Sequence, residues 1–324
     1  KTKAVAPNAL VQQFFNREVY SMRNLTMLMD YYELTMSNGY FEKGFKDKMV
    51  VFDMFYRKNP DNGGFVVSAG LEQLIEYIEN MHFSKEDIEF LRSKGEFSEG
   101  FLQYLADFKF TGNIDALPEG TICYPNTPIV TVTAPVIEAQ LIETMLLLTM
   151  NFQSLIATKA SRICRTAAES GAVVMEFGAR RAHGGDAAIL GARAAYIGGA
   201  AATATVMADE RFGVPAIGTM AHSWIQFFDN EYEAFKAYAE VYPDNCTLLI
   251  DTYDILNSGL VNAIRVAKEV LEPAGKRLKG VRIDSGDLAY FSKKIRKTLD
   301  AHDMQDCKIV VSNSVDEFLM QSLK

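Results

Sequence analysis

The sequence predicts an α/β protein in which a mixed α+β region precedes a region of alternating strands and helices. From Gly171 onward, apolar strand candidates recur at Ala172 to Phe177, Val214 to Ile217, Cys246 to Ile250, Val281 to Ile283 and Lys308 to Val311, with helical patterns between most of them. Strands that alternate with helices pair in parallel through right-handed crossovers, so a βα barrel or an open α/β sheet is expected. Before that region, Ile114 to Thr133 is rich in Pro, Gly, Thr and β-branched residues, which reads as short antiparallel strands joined by turns. The change of texture places a domain boundary at 134/135, with residues 1–134 as an α+β domain and 135–324 as the βα region.

Taken in order, Leu25, Leu28, Met29, Tyr32 and Met36 fall at helical spacing, and Ser37-Asn38-Gly39 supplies a stop. An amphipathic helix over residues 24–37 is expected. Asp30 and Tyr32 lie on it; a solvated acid and a packed aromatic are the competing readings of these two residues. Val50 to Arg57 and Phe65 to Ser68 read as strands, and Ser84-x-x-Asp87 as a capping box that opens a helix. Pro135 to Phe152 and Gln153 to Ser170 are long helical patterns leading into the βα region.

Composition narrows the function. The chain has 324 residues, a formal charge of -8 and a pI near 5.2, so it lacks the basic footprint of a nucleic-acid-binding surface. The four cysteines are widely spaced with no CxxC pair, which suggests neither a zinc site nor a disulfide framework but reduced thiols in a cytosolic protein. Ala194 to Ala208 is the least charged stretch and is too short to span a bilayer. Lys1-Thr-Lys3 is basic, but no apolar core follows before Gln12 and Gln13, so neither a signal peptide nor a membrane partner is expected.

Chemistry concentrates at the strand ends: Glu176-Phe-Gly-Ala-Arg180-Arg181, Thr219-Met-Ala-His222, Asp251-Thr-Tyr-Asp254, Arg282-Ile-Asp284-Ser-Gly-Asp287 and Ser312-Asn313-Ser314. Residues just past the carboxyl ends of strands are where alternating folds place their reactions. His222 follows Gly218 directly after a short apolar run and is the expected reaction centre, against the competing reading of a histidine fixed by core hydrogen bonds. An acid, a small hydroxyl residue and a second acid three positions on occur at both Asp251 and Asp284. Such a pattern suits ribose hydroxyls or a Mg²⁺ shell, and equally suits helix N-caps. Arg180 and Arg181, with the Gly184-Gly185-Asp186 turn beside them, offer donors for phosphate. There is no Walker A loop and no GxSxG elbow.

Four motifs, Asp30-Tyr-Tyr32-Glu-Leu-Thr-Met, Glu176-Phe-Gly-Ala-Arg-Arg-Ala-His, Gly213-Val-Pro-Ala-Ile-Gly-Thr-Met-Ala-His222-Ser and Val281-Arg-Ile-Asp-Ser-Gly-Asp-Leu, occur in the order and spacing that resemble the nicotinate phosphoribosyltransferase family. The resemblance runs from about Leu25 to the end of the chain. It implies a type II phosphoribosyltransferase fold: an irregular βα barrel with an N-terminal α+β domain. It also implies a cytoplasmic homodimer with shared active sites, in which Asp30 and Tyr32 work in trans. The implied reaction joins nicotinate to phosphoribosyl pyrophosphate, giving nicotinate mononucleotide and pyrophosphate, with ATP as co-substrate and Mg²⁺ as cofactor.

By position in the motifs, the resemblance implies that His222 is phosphorylated by ATP with Thr219 beside it, and that Tyr32 and Phe177 sandwich the pyridine ring. Arg180, Arg181 and Arg282 would meet substrate anions, and Asp284 and Asp287 the ribose and the metal. Asp30, Ser223, Ser285, Gly286 and Asn313 complete the implied substrate-binding set. Where the family often reads Thr-Ser-Asn, this chain has Thr203-Ala204-Thr205, and the related nicotinamide enzyme places an aspartate near Ala204. An uncharged residue there suits anionic nicotinate better than the amide. A nicotinamide- or quinolinate-specific enzyme is the alternative within the class. Family members are longer, so the chain is expected to be a fragment of a complete enzyme, the other reading being a natural, non-catalytic short form.

Overall fold

A computed structural model describes residues 23–323; the opening residues considered above, Lys1 to Gln13, lie outside that range. Contacts divide the chain into two units, residues 23–165 with 173–216, and residues 166–172 with 217–323.

The first unit opens with α1 (Tyr31–Glu42), which differs in two ways from the expected helix over residues 24–37. Leu25 to Met29 form turns, and the helix runs on through Ser37-Asn38-Gly39 to a stop at Lys43 and Gly44, whose φ is +73°. Its apolar spacing is only partly turned inward, with Leu25 and Met29 packed against the core. Glu33, Leu34 and Ser37 are buried, while Leu28 before it and Tyr32 and Met36 on it are 39–45% exposed. Glu33 accepts hydrogen bonds from a neighbouring helix, which turns this polar residue inward.

β1 (Met49–Met54), β2 (Val66–Val67), α2 (Leu71–Asn80), α3 (Lys85–Ser93) and α4 (Glu99–Ala106) follow. The capping box is present: Asp87 N–H donates to Ser84 Oγ at 3.1 Å, and Ser84 N–H to Asp87 Oδ2 at 2.8 Å. β3 (Asn113–Ala116), β4 (Ile122–Cys123) and β5 (Val130–Pro135) are the expected short antiparallel strands. The sheet order is β1-β5-β3, with β2 paired to β4 apart from it. Central β5 alternates buried and half-buried residues, the period of a strand with one face on a core. That core gathers Leu74, Phe101, Leu105, Ile137, Ile142 and Met150.

α5 (Val136–Leu141) and α6 (Glu143–Ala168) replace the two long helices expected, with the break at Ile142. Most of α6 belongs to the first unit by its contacts. Val67 N–H donates to Thr158 Oγ1 at 2.9 Å and Ala69 N–H to Ser154 Oγ at 3.0 Å, which fastens the helix to the strand region before it. β6 (Met175–Glu176), α7 (Gly185–Ile197), β7 (Ala202–Thr203) and α8 (Val206–Phe212) complete the unit. β7 lies in the Ala, Gly and Thr-rich stretch and pairs in parallel with β6. The strand expected at Val214 to Ile217 is reduced to a single parallel bridge between Thr203 and Ala216, since Pro215 has no N–H to give a ladder.

Arg193 on α7 is the polar hub of this unit. Only 8% exposed, it is forked onto Glu119 and also meets Glu72 and the Gln153 side chain, while Glu119 accepts the Gly70 and Leu71 amides at the start of α2. Burial opposes ionisation of Glu119, but Arg193 and those amides outweigh it and hold the carboxyl below its ordinary range.

The second unit contains α9 (His222–Phe227), α10 (Glu231–Val241), β8 (Thr247–Leu249), α11 (Leu260–Val266), β9 (Gly280–Ile283), α12 (Leu288–Asp300), β10 (Lys308–Val311) and α13 (Glu317–Leu323). The strands form a parallel sheet in the order β10-β9-β8, as alternation predicts. Phe235, Leu248, Ile250, Val281, Ile283 and Ile295 form its core. Gly259 is required there, because a Cβ would come within 2.0 Å of the Ile250 carbonyl oxygen. All four cysteines are free thiols, and burial pushes Cys246 up to about 12 and Cys307 up to about 11. No described helix is long and apolar enough to cross a membrane.

Candidate active site

In the second unit, the ends of β8, β9 and β10 and the segment before α9 build one hydrogen-bonded constellation around Asp251. Its side chain is wholly buried, and one oxygen lies 3.0 Å from His222 Nε2. The other accepts the Asp284 amide at 2.8 Å and the Ser285 hydroxyl at 2.6 Å. With three donors on it, the carboxylate is held in one orientation. A neutral His222 that donates Nε2–H to Asp251 leaves the Nδ1 lone pair outward, and its side chain is 40% exposed. The sequence reading noted Asp251 as a strand-end acid and missed its partnership with His222.

Arg282 is the second organiser. Its guanidinium is 12% exposed and donates to Ser312 Oγ at 3.0 Å, to Asp284 Oδ1 at 3.2 Å, and to Thr219 Oγ1 and the Met220 carbonyl at 3.4 Å each. Ser312 in turn donates to Asp284 Oδ1. One planar fork therefore ties the segment before His222 to the ends of β9 and β10. Thr219, His222, Arg282, Asp284 and Ser285 are brought together as expected, and Ser312 joins them from outside the expected set.

The other expected residues stand apart from this network. Asp287 caps α12 by accepting the Tyr290 amide at 2.9 Å, and Asp254 caps the helical turn at Leu256 and Asn257. The capping reading thus describes both second acids. Gly286 has a φ of +77°, and a Cβ there would lie 2.7 Å from the Phe291 ring. Ser223 and Asn313 are exposed, the latter at a φ of +82°. Among the described residues no group of three or more His, Cys, Asp or Glu could hold a metal ion by itself. Asp284 keeps its second oxygen outside the Arg282 network, a hard carboxylate oxygen of the type Mg²⁺ takes.

The remaining expected residues lie in the first unit. Tyr32 is 43% exposed and donates its hydroxyl to Glu143 at 2.8 Å, which with some burial pushes the phenol up to about 12. The Asp30 amide donates to Thr144 Oγ1 at 3.2 Å. Phe177, Arg180 and Arg181 follow β6, with both arginines exposed on a 3₁₀ turn. Glu176 braces this turn by accepting the Thr203 hydroxyl at 2.7 Å and the Gly178 amide. Ala204 N–H donates to the Glu176 carbonyl at 2.9 Å.

Comparison with known proteins places this geometry in context. The model of the nicotinate phosphoribosyltransferase N-terminal domain matches residues 27–151, and that of the nicotinate phosphoribosyltransferase family matches residues 172–323. The nicotinate phosphoribosyltransferase of Bacillus subtilis (strain 168) is 46% identical over 303 residues, covering 93% of this chain and 60% of that protein. Nicotinate phosphoribosyltransferase pncB2 of Mycobacterium tuberculosis (strain ATCC 25618 / H37Rv) is 43% identical over 293 residues, covering 90% and 61%. The chain therefore spans about three fifths of the length of these curated relatives. Among solved structures, human nicotinic acid phosphoribosyltransferase aligns with a TM-score of 0.84 and 30% identity, over 91% of this chain and 70% of that one. A nicotinate-nucleotide pyrophosphorylase from Pyrococcus furiosus shares the fold, with a TM-score of 0.76, 24% identity and 95% and 72% coverage.

Proposed function

The chain belongs to the nicotinate phosphoribosyltransferase family and has the type II phosphoribosyltransferase fold, and on that premise we propose that it transfers the phosphoribosyl group of phosphoribosyl pyrophosphate to nicotinate in NAD biosynthesis, with ATP consumed through a phosphohistidine at His222. The observation that carries the ATP-coupled reading is the His222–Asp251 pair. Asp251 fixes the Nε2–H tautomer, so Nδ1 is the nucleophile. The N–P bond forms at Nδ1 as the bond from the γ-phosphorus to the bridging oxygen breaks, and ADP departs with that electron pair. The positive charge gained by the imidazole rests on Nε2–H and is neutralised by Asp251.

In the transfer itself the pyridine nitrogen of nicotinate bonds to ribose C1 as the C1–O bond to pyrophosphate breaks. Developing positive charge on the ribose is met by Asp284. Tyr32 and Phe177 would hold the pyridine ring and Arg180 and Arg181 its anionic neighbours, while uncharged Ala204 favours nicotinate over nicotinamide. Mg²⁺ would be held by Asp284 with substrate oxygens and, when bound, neutralises charge on the departing pyrophosphate. The reading includes a cytoplasmic location and a homodimer. The dimer is supported by the apolar area that Leu28, Tyr31, Tyr32 and Met36 leave exposed, and sedimentation measures it.

Incubation with γ-labelled ATP tests the ATP step. An acid-labile, base-stable label that disappears in His222→Ala is expected; label of undiminished intensity in that variant refutes the assignment. Turnover of nicotinate, nicotinamide and quinolinate tests the substrate, with nicotinate expected to be used best.

A further inference from the structure

The buried side of α1 carries polar groups that the proposed chemistry does not use. Glu33 is fully buried, and its Oε1 accepts the Thr144 amide at 3.1 Å and the Thr144 hydroxyl. Thr144 Oγ1 is also the acceptor for the Asp30 amide, and the adjacent Glu143 accepts the Tyr32 hydroxyl and is itself braced by the Gln140 amide at 2.6 Å. Two consecutive residues at the start of α6 thus meet Asp30, which caps α1, and Tyr32 and Glu33 of its first turn. Among the described residues, three buried oxygens of this unit have no hydrogen-bond partner: Glu33 Oε2, Ser37 Oγ and Tyr77 OH. Glu33 and Ser37 are one helical turn apart and therefore neighbours on one face. Burial and, to a smaller degree, the Glu33 charge push the Tyr77 phenol up. Both Ser37 and Tyr77 are at most 4% exposed. Buried polar groups left unbonded are costly, and a site with two to four polar partners is one that holds water.

We propose that Glu33 is a positioning residue for Tyr32: one carboxyl oxygen clamps the start of α1 onto Thr144, and the other shares a single ordered water with Ser37 and Tyr77. Burial drives the Glu33 carboxyl above its ordinary value, against the lowering effect of the two Thr144 hydrogen bonds. The clasp fixes the backbone from which the Tyr32 ring departs, and Glu143 accepts its hydroxyl. The inference rests on the reading of Tyr32 as a pyridine contact for its kinetic consequence, but not for the clasp itself.

The test compares Glu33→Leu with Glu33→Gln in the full chain. Glu33→Leu should raise the KM for nicotinate about tenfold, with kcat and the KM for phosphoribosyl pyrophosphate within about twofold, and Glu33→Gln should restore it. Thr144→Val should reproduce Glu33→Leu without adding to it, and carries the comparison if Glu33→Leu does not fold. An unchanged KM for nicotinate, or a parallel loss in every constant, overturns the proposal. Crystals of the unaltered protein should show one water within hydrogen-bonding distance of all three oxygens, and their separation by protein atoms overturns that part. Tyr32→Ala separates the two readings: if it leaves the KM for nicotinate unaltered, the role of Tyr32 falls. Positioning is then judged from crystals of Thr144→Val, where a Tyr32 hydroxyl still on Glu143 overturns it and a displaced ring upholds it.

Discussion

Asp251→Asn isolates the feature on which the phosphorylation step depends. The native carboxylate meets three donors, His222 Nε2 at 3.0 Å, the Asp284 amide at 2.8 Å and the Ser285 hydroxyl at 2.6 Å. An asparagine has one oxygen for these donors. Keeping it on the Asp284 and Ser285 side turns the NH₂ toward His222, whose Nε2 must then accept. The proton moves to Nδ1, and the lone pair that would attack phosphorus is gone. In a serine protease the same change of tautomer costs about 10⁴ in rate, so a loss of about 10³ to 10⁴ is expected here. Stability should suffer less, because two of the three bonds survive; Asp251→Ala, which leaves the half-buried Asp284 amide and the exposed Ser285 hydroxyl without their acceptor, should cost about 1–3 kcal/mol in all. Rapid quench with γ-labelled ATP measures the phosphorylation rate, and urea unfolding the stability. Phosphorylation of Asp251→Asn at more than about a tenth of the native rate would refute tautomer control.

Arg282→Lys replaces a planar fork with a point charge and cannot hold Thr219, Ser312 and Asp284 together; turnover should fall about 10²-fold in steady-state assays, with a folded protein by circular dichroism. Glu119→Gln leaves the buried Arg193 half-compensated and should cost about 3–5 kcal/mol at neutral pH, measured by chemical unfolding. The sign of its pH dependence follows from the lowered carboxyl: the contribution is fully present above the ordinary value of 4.5 and is lost as pH falls through the lower folded value, so native and variant should converge only in acid. Ser84→Ala removes a capping box far in sequence from the catalytic motifs and should cost about 1 kcal/mol with unchanged turnover. The Tyr32 phenol should resist ionisation by ultraviolet titration until pH passes about 12, and Glu143→Gln should bring it down.

The parts of the fold legible in the sequence are those fixed by near neighbours. Ser84 and Asp87 announce their capping box because both halves lie within one turn, and the parallel strands at 280–283 and 308–311 are apolar runs short enough to be nothing else. The helix at residues 31–42 shows the limit. Its apolar spacing is real, but which side faces inward is set by Thr144, more than a hundred positions away, and the spacing carries no trace of it. The site divides in the same way. Strand-end residues named themselves by type and place, whereas the pairing of His222 with Asp251 joins residues 29 apart across two elements. At Val214 to Ile217 the apolar run predicts a strand, but Pro215 has no amide to give to a ladder and a single bridge remains.

The Arg193 hub bears on the order in which the first unit assembles. Its partners Glu119 and Glu72 lie 74 and 121 residues before it, so the fork closes only when segments far apart in the chain have met. Closing so long a loop is entropically slow, and contacts of this separation come late, after local helices and the antiparallel hairpins. A bond made after the folding barrier leaves the folding rate nearly untouched and acts on the rate of coming apart. The hub is therefore a latch, closed last, which sets how long the unit stays folded more than how fast it folds.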